Sequence, residues 1–233
     1  MYSYSLHLLS QFYREMPERI IAVGDIHGCS QALDALLDAI GPTSNDTIVT
    51  LGDYVDRGND SKGVIDRLLD LKSRCKLIPL MGNHEEMMLS VVLDGVSPYR
   101  WLEYGGVDTL DSYGFSGDMR VIPEEHLQFF QEMYDFYETE QHFFVHANYD
   151  PELPLEDQSE HMLRWLKLSE SVPGPHFNGK RAILGHTHDR GGEIFSLAHL
   201  TCIDTYCYGG GWLTALDVQS GKIWQSNRGG NLR

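Results

Sequence analysis

Short apolar runs alternate with amphipathic stretches through the first half of the chain. Arg19 to Val23, Thr47 to Leu51 and Lys76 to Leu80 read as brief buried strands. After the first, Leu33, Leu36, Leu37 and Ile40 fall at helical spacing, and Gly41-Pro42 supply a stop. After the second, Val64, Leu68 and Leu71 share one helix face, and EEMMLSVVLDG continues as a third helix. Strands alternating with helices predict parallel pairing in an α/β sheet. From Ser97 to Thr139 the pattern changes. PEEHLQFFQEMYDFYET carries Pro123 and two glutamates in its first turn, then Leu127, Phe130, Tyr134 and Tyr137 at helical spacing. This predicts a helical insertion over the sheet. QHFFVHA and RAILGH resume the strand pattern. LTCIDT and WLTALDVQSGKIWQ shift towards hairpins, with a turn at Ser220-Gly221, and SNRGGNLR reads as a frayed tail.

The apolar runs share an ending. IIAVGDIHG, IVTLGDYVDRG and LIPLMGNHE each close on glycine and then on groups that bind metals or move protons. Ligands of open α/β sheets bind beyond the carboxyl ends of the strands. Asp25 and His27, then Asp53, Asp56 and Arg57, then Asn83 and His84 all follow predicted strands. So do His146, and His186 with His188. A single aspartate there would be read as a helix cap and a single histidine as a hydrogen-bonded core residue. Five clusters so placed point to one site. Carboxylate, imidazole and amide oxygen without thiolate suit a hard or borderline divalent ion, and the donors exceed the needs of one ion.

Composition narrows the classes. With 233 residues the chain is long enough for one sizeable domain, and we assign 1–233 to it, with 18–227 as core and 97–139 as insertion. No apolar run approaches the roughly 20 residues that span a bilayer. MYSYSLHLLSQFYREMPER lacks the features of a signal peptide, so a cytoplasmic location is expected. The formal charge of −16 argues against nucleic-acid and membrane partners, and it requires local positive charge if the substrate is an anion. The four cysteines have no CxxC spacing, which excludes a disulfide framework or structural zinc; Cys202 and Cys207 read as buried thiols. No oligomeric state is legible.

GDIHG, GDYVDRG, GNHE, HA and GHTH, in this order, resemble the phosphoprotein phosphatase family of metallophosphoesterases, in its bacterial and bacteriophage branch. The resemblance implies a four-layer α/β/β/α sandwich with mixed sheets and a dinuclear metal site. Two divalent ions are implied, manganese first, with iron or zinc as alternatives. Asp25 and His27 would hold the first, Asp53 would bridge, and Asn83, His146 and His186 would hold the second. A metal-bridging hydroxide would attack phosphorus, His84 would protonate the leaving group, Asp56 would orient His84, and Arg57 would grip the phosphate. Asn83 would also face the substrate. Related enzymes carry an arginine before GNHE and another in a WxR segment. Here Met81 stands at the first position, and Lys167 and Arg164 compete for the second. His188 is an additional ligand candidate, because residues 186 and 188 share a strand face.

His7, His126, His142, His161, His176 and His199 match no motif and read as surface or hydrogen-bonded residues. Tyr99, Trp101 and Tyr104 read as packing residues, with contact to a leaving group as the alternative. CYGGGWL reads as a loop whose glycines permit close backbone approach. The expected activity is a metal-dependent phosphomonoesterase on phosphoserine and phosphothreonine. Hydrolysis of dinucleoside polyphosphates or another small phosphate ester is the alternative, and a silent phosphate sensor is disfavoured because every ligand is kept. The expected partner is therefore a phosphorylated protein or a small phosphoester.

Overall fold

A computed structural model describes residues 18–233; the N-terminal stretch, with His7 and the signal-peptide question, lies outside them. The first three strands, β1 (Ile20–Val23), β2 (Thr47–Thr50) and β3 (Lys76–Pro79), pair in parallel. The helices between and after them are α1 (Ser30–Ile40), α2 (Ser61–Arg74) and α3 (Asn83–Val92). A short helix α4 (Tyr99–Trp101), α5 (Val107–Ser112) and α6 (Glu124–Gln131) form most of the insertion. Strands β4 (Phe136–Glu138) and β5 (His142–Val145), helix α7 (Glu160–Arg164) and strand β6 (Arg181–Leu184) follow. The chain ends in β7 (Phe195–Ser196), β8 (Leu200–Cys202), β9 (Asp204–Thr205), β10 (Trp212–Asp217) and β11 (Ile223–Ser226).

Both sheets are mixed. One runs β11-β10-β1-β2-β3 with β9 beside β10, the other β4-β5-β6-β8-β7. Alternation along the strands explains the stacking. Val49 and Phe144 point into the layer between the sheets, with Ala22, Ile78, Ile183 and Leu216. Ile48 points the other way, to a core shared with Leu33, Leu36, Leu68 and Leu71 of α1 and α2. Phe143 and Val145 face a third cluster closed by Leu155, Leu163 and Leu168, so the fourth layer here is loop and one short helix. The metallophosphoesterase sandwich is the observed architecture, and the parallel pairing expected at the start covers only part of each sheet.

Two expectations need correction. The helical pattern from Pro123 stops at Gln131, and residues 136–138 form a strand instead. Tyr134 bonds backbone to backbone with Pro79 and Met81, and Tyr137 sits opposite Phe144 in the β4-β5 ladder. A cross-strand aromatic pair and a ladder outweigh the helical spacing. The tail is ordered as well. Asn227 N–H donates to Asn231 O and Arg233 N–H to Gln225 O, which folds residues 227–233 back on β11.

Asp46 anchors the entry to β2. Arg19 donates to it through Nε at 2.8 Å and Nη2 at 2.6 Å, and Thr43 donates through its backbone N–H at 2.7 Å. Burial opposes the Asp46 charge, but Arg19 and Thr43 outweigh it and hold its pKa below the usual carboxylate value. The stability it confers is therefore complete above its unfolded pKa, about 4, and is lost as pH falls through the lower folded value. Asp46→Ala should cost about 1–2 kcal/mol at pH 7. In chemical unfolding the gap from wild type should close as pH drops below about 4.

Candidate active site

The carboxyl ends of β1, β2, β3, β5 and β6 deliver Asp25, His27, Asp53, Asn83, His84, His146 and His186 to one place, and Asp25, His27, Asp53, Asn83, His84 and His146 are buried. The backbone must bend sharply to do this. Among the described residues, non-glycine positions with left-handed φ are His27, Asp53, Asp56, Arg57, His186 and Tyr206. Such conformations cost energy and persist where surrounding contacts impose them. Gly58 permits the bend at Arg57, because a Cβ there would strike the carbonyl oxygen of His27.

Glu85 imposes much of it. Its Oε2 accepts the N–H groups of Asp53 at 2.9 Å and Gly82 at 3.1 Å; its Oε1 accepts those of Tyr54 at 2.8 Å and Val55 at 3.2 Å. One carboxylate thus ties the turn after β2 to the turn after β3. Burial, and then the charge of Asp53, push its pKa up to about 8 against these N–H groups.

Backbone carbonyls aim the imidazoles. His27 Nδ1–H donates to Val55 O at 2.8 Å, and His146 Nδ1–H to Leu51 O at 2.6 Å, so both Nε2 lone pairs point inward. His186 instead donates Nε2–H to Trp165 O at 2.9 Å, which leaves Nδ1 for the site. Burial lowers the pKa of all three, and burial with the nearby His146 takes His186 down to about 3. They are neutral bases, as metal ligands must be.

Two groups of donor atoms lie within 4.8 Å of one another: His27, Asp53 and His84, and Asp53, His146 and His186. Asp53 belongs to both. His146 Nε2 lies 3.2 Å from Asn83 Oδ1 and 3.4 Å from Asp53 Oδ1, so acceptor faces acceptor across this spot. Asp25 lies outside both groups, and its carboxylate accepts the His186 N–H at 3.0 and 3.1 Å. Burial, then Asp204 and Asp53, raise the Asp25 pKa well above its ordinary value. Burial also pushes Asp53 up, but His146, His84 and His27 outweigh it and hold its pKa well below normal. Converging lone pairs and crowded buried carboxylates fit divalent cations.

His84 differs from the other imidazoles. Its Nδ1 pairs with Asp56 Oδ2 at 2.6 Å. Its Nε2 is the one buried side-chain N or O atom without a hydrogen-bond partner among the described residues. Asp56 also accepts from Trp101 Nε1 at 3.0 Å and Thr109 Oγ1 at 2.7 Å, so the insertion holds it. Arg57 Nη1 donates to His27 Nε2 at 3.1 Å and to Tyr208 Oη at 3.0 Å, and its guanidinium stacks on the Tyr208 ring.

The surroundings of the three remaining candidates differ. Arg164 is spent on Asp135 at 2.6 Å, Glu86 at 3.1 Å and Glu160 at 3.5 Å. Lys167 makes no ion pair among the described residues, and its charge reaches His186 and His188. His188 lies outside both donor groups and stacks on Tyr206, with ring centroids 4.6 Å apart. Sequence reasoning missed Asp204, Tyr208 and the Asp56 supports Trp101 and Thr109. Asp204 is buried, and burial first raises its pKa, to about 6. It follows the apolar run of β8 directly, as His146 follows that of β5, and this weaker signal without a glycine could have found it.

The match to known families agrees with this geometry. The model of the calcineurin-like phosphoesterases matches residues 18–190. The chain belongs to that family. A symmetrical bis(5'-nucleosyl)-tetraphosphatase of Acidovorax sp. (strain JS42) is 39% identical over 82 residues, 35% of this chain and 28% of that protein. Serine/threonine-protein phosphatase 1 of Salmonella typhimurium is 38% identical over 85 residues, 36% of this chain and 37% of that one. These alignments span about a third or less of the tetraphosphatase and little more of the phosphatase. A cold-active protein-tyrosine phosphatase of a Shewanella species shares the fold, with TM-score 0.66 at 18% identity over 94% of this chain and 80% of that one. No helix among the described residues is long and apolar enough to cross a membrane.

If Glu85 sets the site's backbone, Glu85→Ala, which strands four N–H groups, should destabilise the phosphoesterase by about 3 kcal/mol or more. Urea unfolding checks this; a loss under about 1 kcal/mol would show that other contacts impose the bends.

Proposed function

We propose that this phosphoesterase uses two divalent cations, held around Asp53, to hydrolyse phosphate esters or anhydrides. The observation that carries the reading is the pair of donor groups sharing Asp53, with the unpartnered His84 Nε2 beside them. Asp25, His27 and Asp53 are assigned to one cation, and Asp53, Asn83, His146 and His186 to the other. Bound there, the cations would lower the pKa of water and offset phosphate charge. Manganese is the ion to try first.

The chain's own groups do the rest. Arg57 binds phosphate oxygens with its planar fork, anchored from behind by Tyr208. His84 gives its Nε2 proton to the departing oxygen. Asp56 holds the imidazole in place through Nδ1, which leaves Nε2 facing the leaving group, and Trp101 and Thr109 keep Asp56 aimed. Lys167, with no ion pair among the described residues, is the better placed of the two sequence candidates for further contact with phosphate.

Similarity to symmetrical tetraphosphatases favours a dinucleoside polyphosphate as substrate, and this is the first reading. The second is a phosphorylated serine or threonine. It is favoured by the buried Asp56–His84 pair, since an alkoxide leaving group needs a proton far more than a nucleotide phosphate does, and by similarity to the Salmonella phosphatase. Turnover of diadenosine tetraphosphate and of a phosphoserine peptide, side by side with manganese, decides between them. A clear preference for the peptide would sink the first reading, and no turnover of either would sink both. His84→Asn should retain its metal by elemental analysis yet lose about 100-fold or more in kcat on an alkyl phosphate. Loss of metal instead would reassign His84 as a ligand.

A further inference from the structure

Arg100 has no part in the chemistry above, and its surroundings are unusual for an exposed cation in so acidic a chain. No carboxylate pairs with it among the described residues. Its guanidinium lies 4.4 Å from the centre of the Trp165 ring and 6.0 Å from that of Tyr104. Both rings are tied to the site. Tyr104 packs edge-on to His84, with centroids 6.3 Å apart, and stands beside Gly105, whose carbonyl accepts the Arg57 N–H. Trp165 donates its indole N–H to Glu86 at 3.2 Å, and its carbonyl accepts the His186 Nε2–H. Arg100 therefore spans the rim between His84 and His186, on a platform fixed at both ends.

Position decides the chemistry. The leaving group must depart towards the residue that protonates it, so the atoms beyond the scissile bond pass His84 and Tyr104. An anion carried there meets a guanidinium with unused donors, and a planar ring meets exposed aromatic edges. We propose that Arg100, Tyr104 and Trp165 form a leaving-group subsite that binds the next phosphate and the base of a nucleoside polyphosphate. The proposal rests on the first substrate reading. It assigns to the insertion a charge contact that Arg164, committed to three acidic residues, does not supply.

The test is calorimetric binding of ADP and of inorganic phosphate to the manganese-loaded protein, at fixed free manganese. ADP carries the extra phosphate and base; inorganic phosphate does not. Arg100→Ala should weaken ADP about 10-fold or more and leave phosphate within about twofold, as expected for loss of one charged contact. Arg100→Lys, which keeps charge but not the fork or the stack, should fall between. Unchanged ADP binding in Arg100→Ala, equal weakening of both ligands, or no ADP preference in the wild type would each overturn the subsite. Absence of diadenosine tetraphosphate turnover with Arg100-dependent ADP binding intact would fault the substrate reading alone.

Discussion

Glu85 is where the site's geometry is decided. A buried carboxylate surrounded by backbone N–H groups from two different turns cannot be displaced without stranding all of them. Because those turns carry Asp53 on one side and Asn83 with His84 on the other, the candidate ligands are placed by the backbone itself. The left-handed residues His27, Asp53, Asp56 and Arg57 are held by this clamp and by carbonyl contacts to His27 and His146. The sheets beneath, packed on both faces, supply the stability that offsets these local strains.

The same construction resolves the charge puzzle. The chain is acidic overall, yet its site must receive an anion. Crowding Asp25, Asp53 and Asp204 in a buried cleft makes the cleft favourable for dications, and on the proposed function these would reverse its sign. Arg57, Lys167 and Arg100 stand around the rim, and none of them is paired with a carboxylate among the described residues. Positive side chains without a carboxylate partner thus stand beside the cleft in a chain whose formal charge is −16.

Much of this was legible from residue order. Short apolar runs ending in glycine and then in carboxylate, amide or imidazole mark the ends of β1, β2, β3 and β6, and an apolar run followed directly by His146 marks that of β5, so the cluster from Asp25 to His186 could be read from them. Local spacing failed where tertiary pairing prevailed, as in residues 136–138, which join a ladder despite helical periodicity. It could not separate Arg164 from Lys167, since the deciding partners Glu86 and Asp135 are remote in sequence. Nor could it show that Trp101 donates to Asp56, because an indole N–H has no signature until its acceptor is known. The aromatic residues of the insertion had been read mainly as packing, and Trp101 does pack, but one polar atom gives it a second task.

That double duty limits how the scaffold can be varied. In many enzymes a surface insertion can be exchanged to alter substrate choice while the catalytic machinery stays in the core. Here Trp101 and Thr109 belong to the insertion and yet orient the Asp56 carboxylate behind His84. Outer surface and inner support share one segment, so a graft chosen for its outer surface must also reproduce two inward-facing hydrogen bonds. The segment is less a detachable module than a lid whose hinge pins are part of the lock.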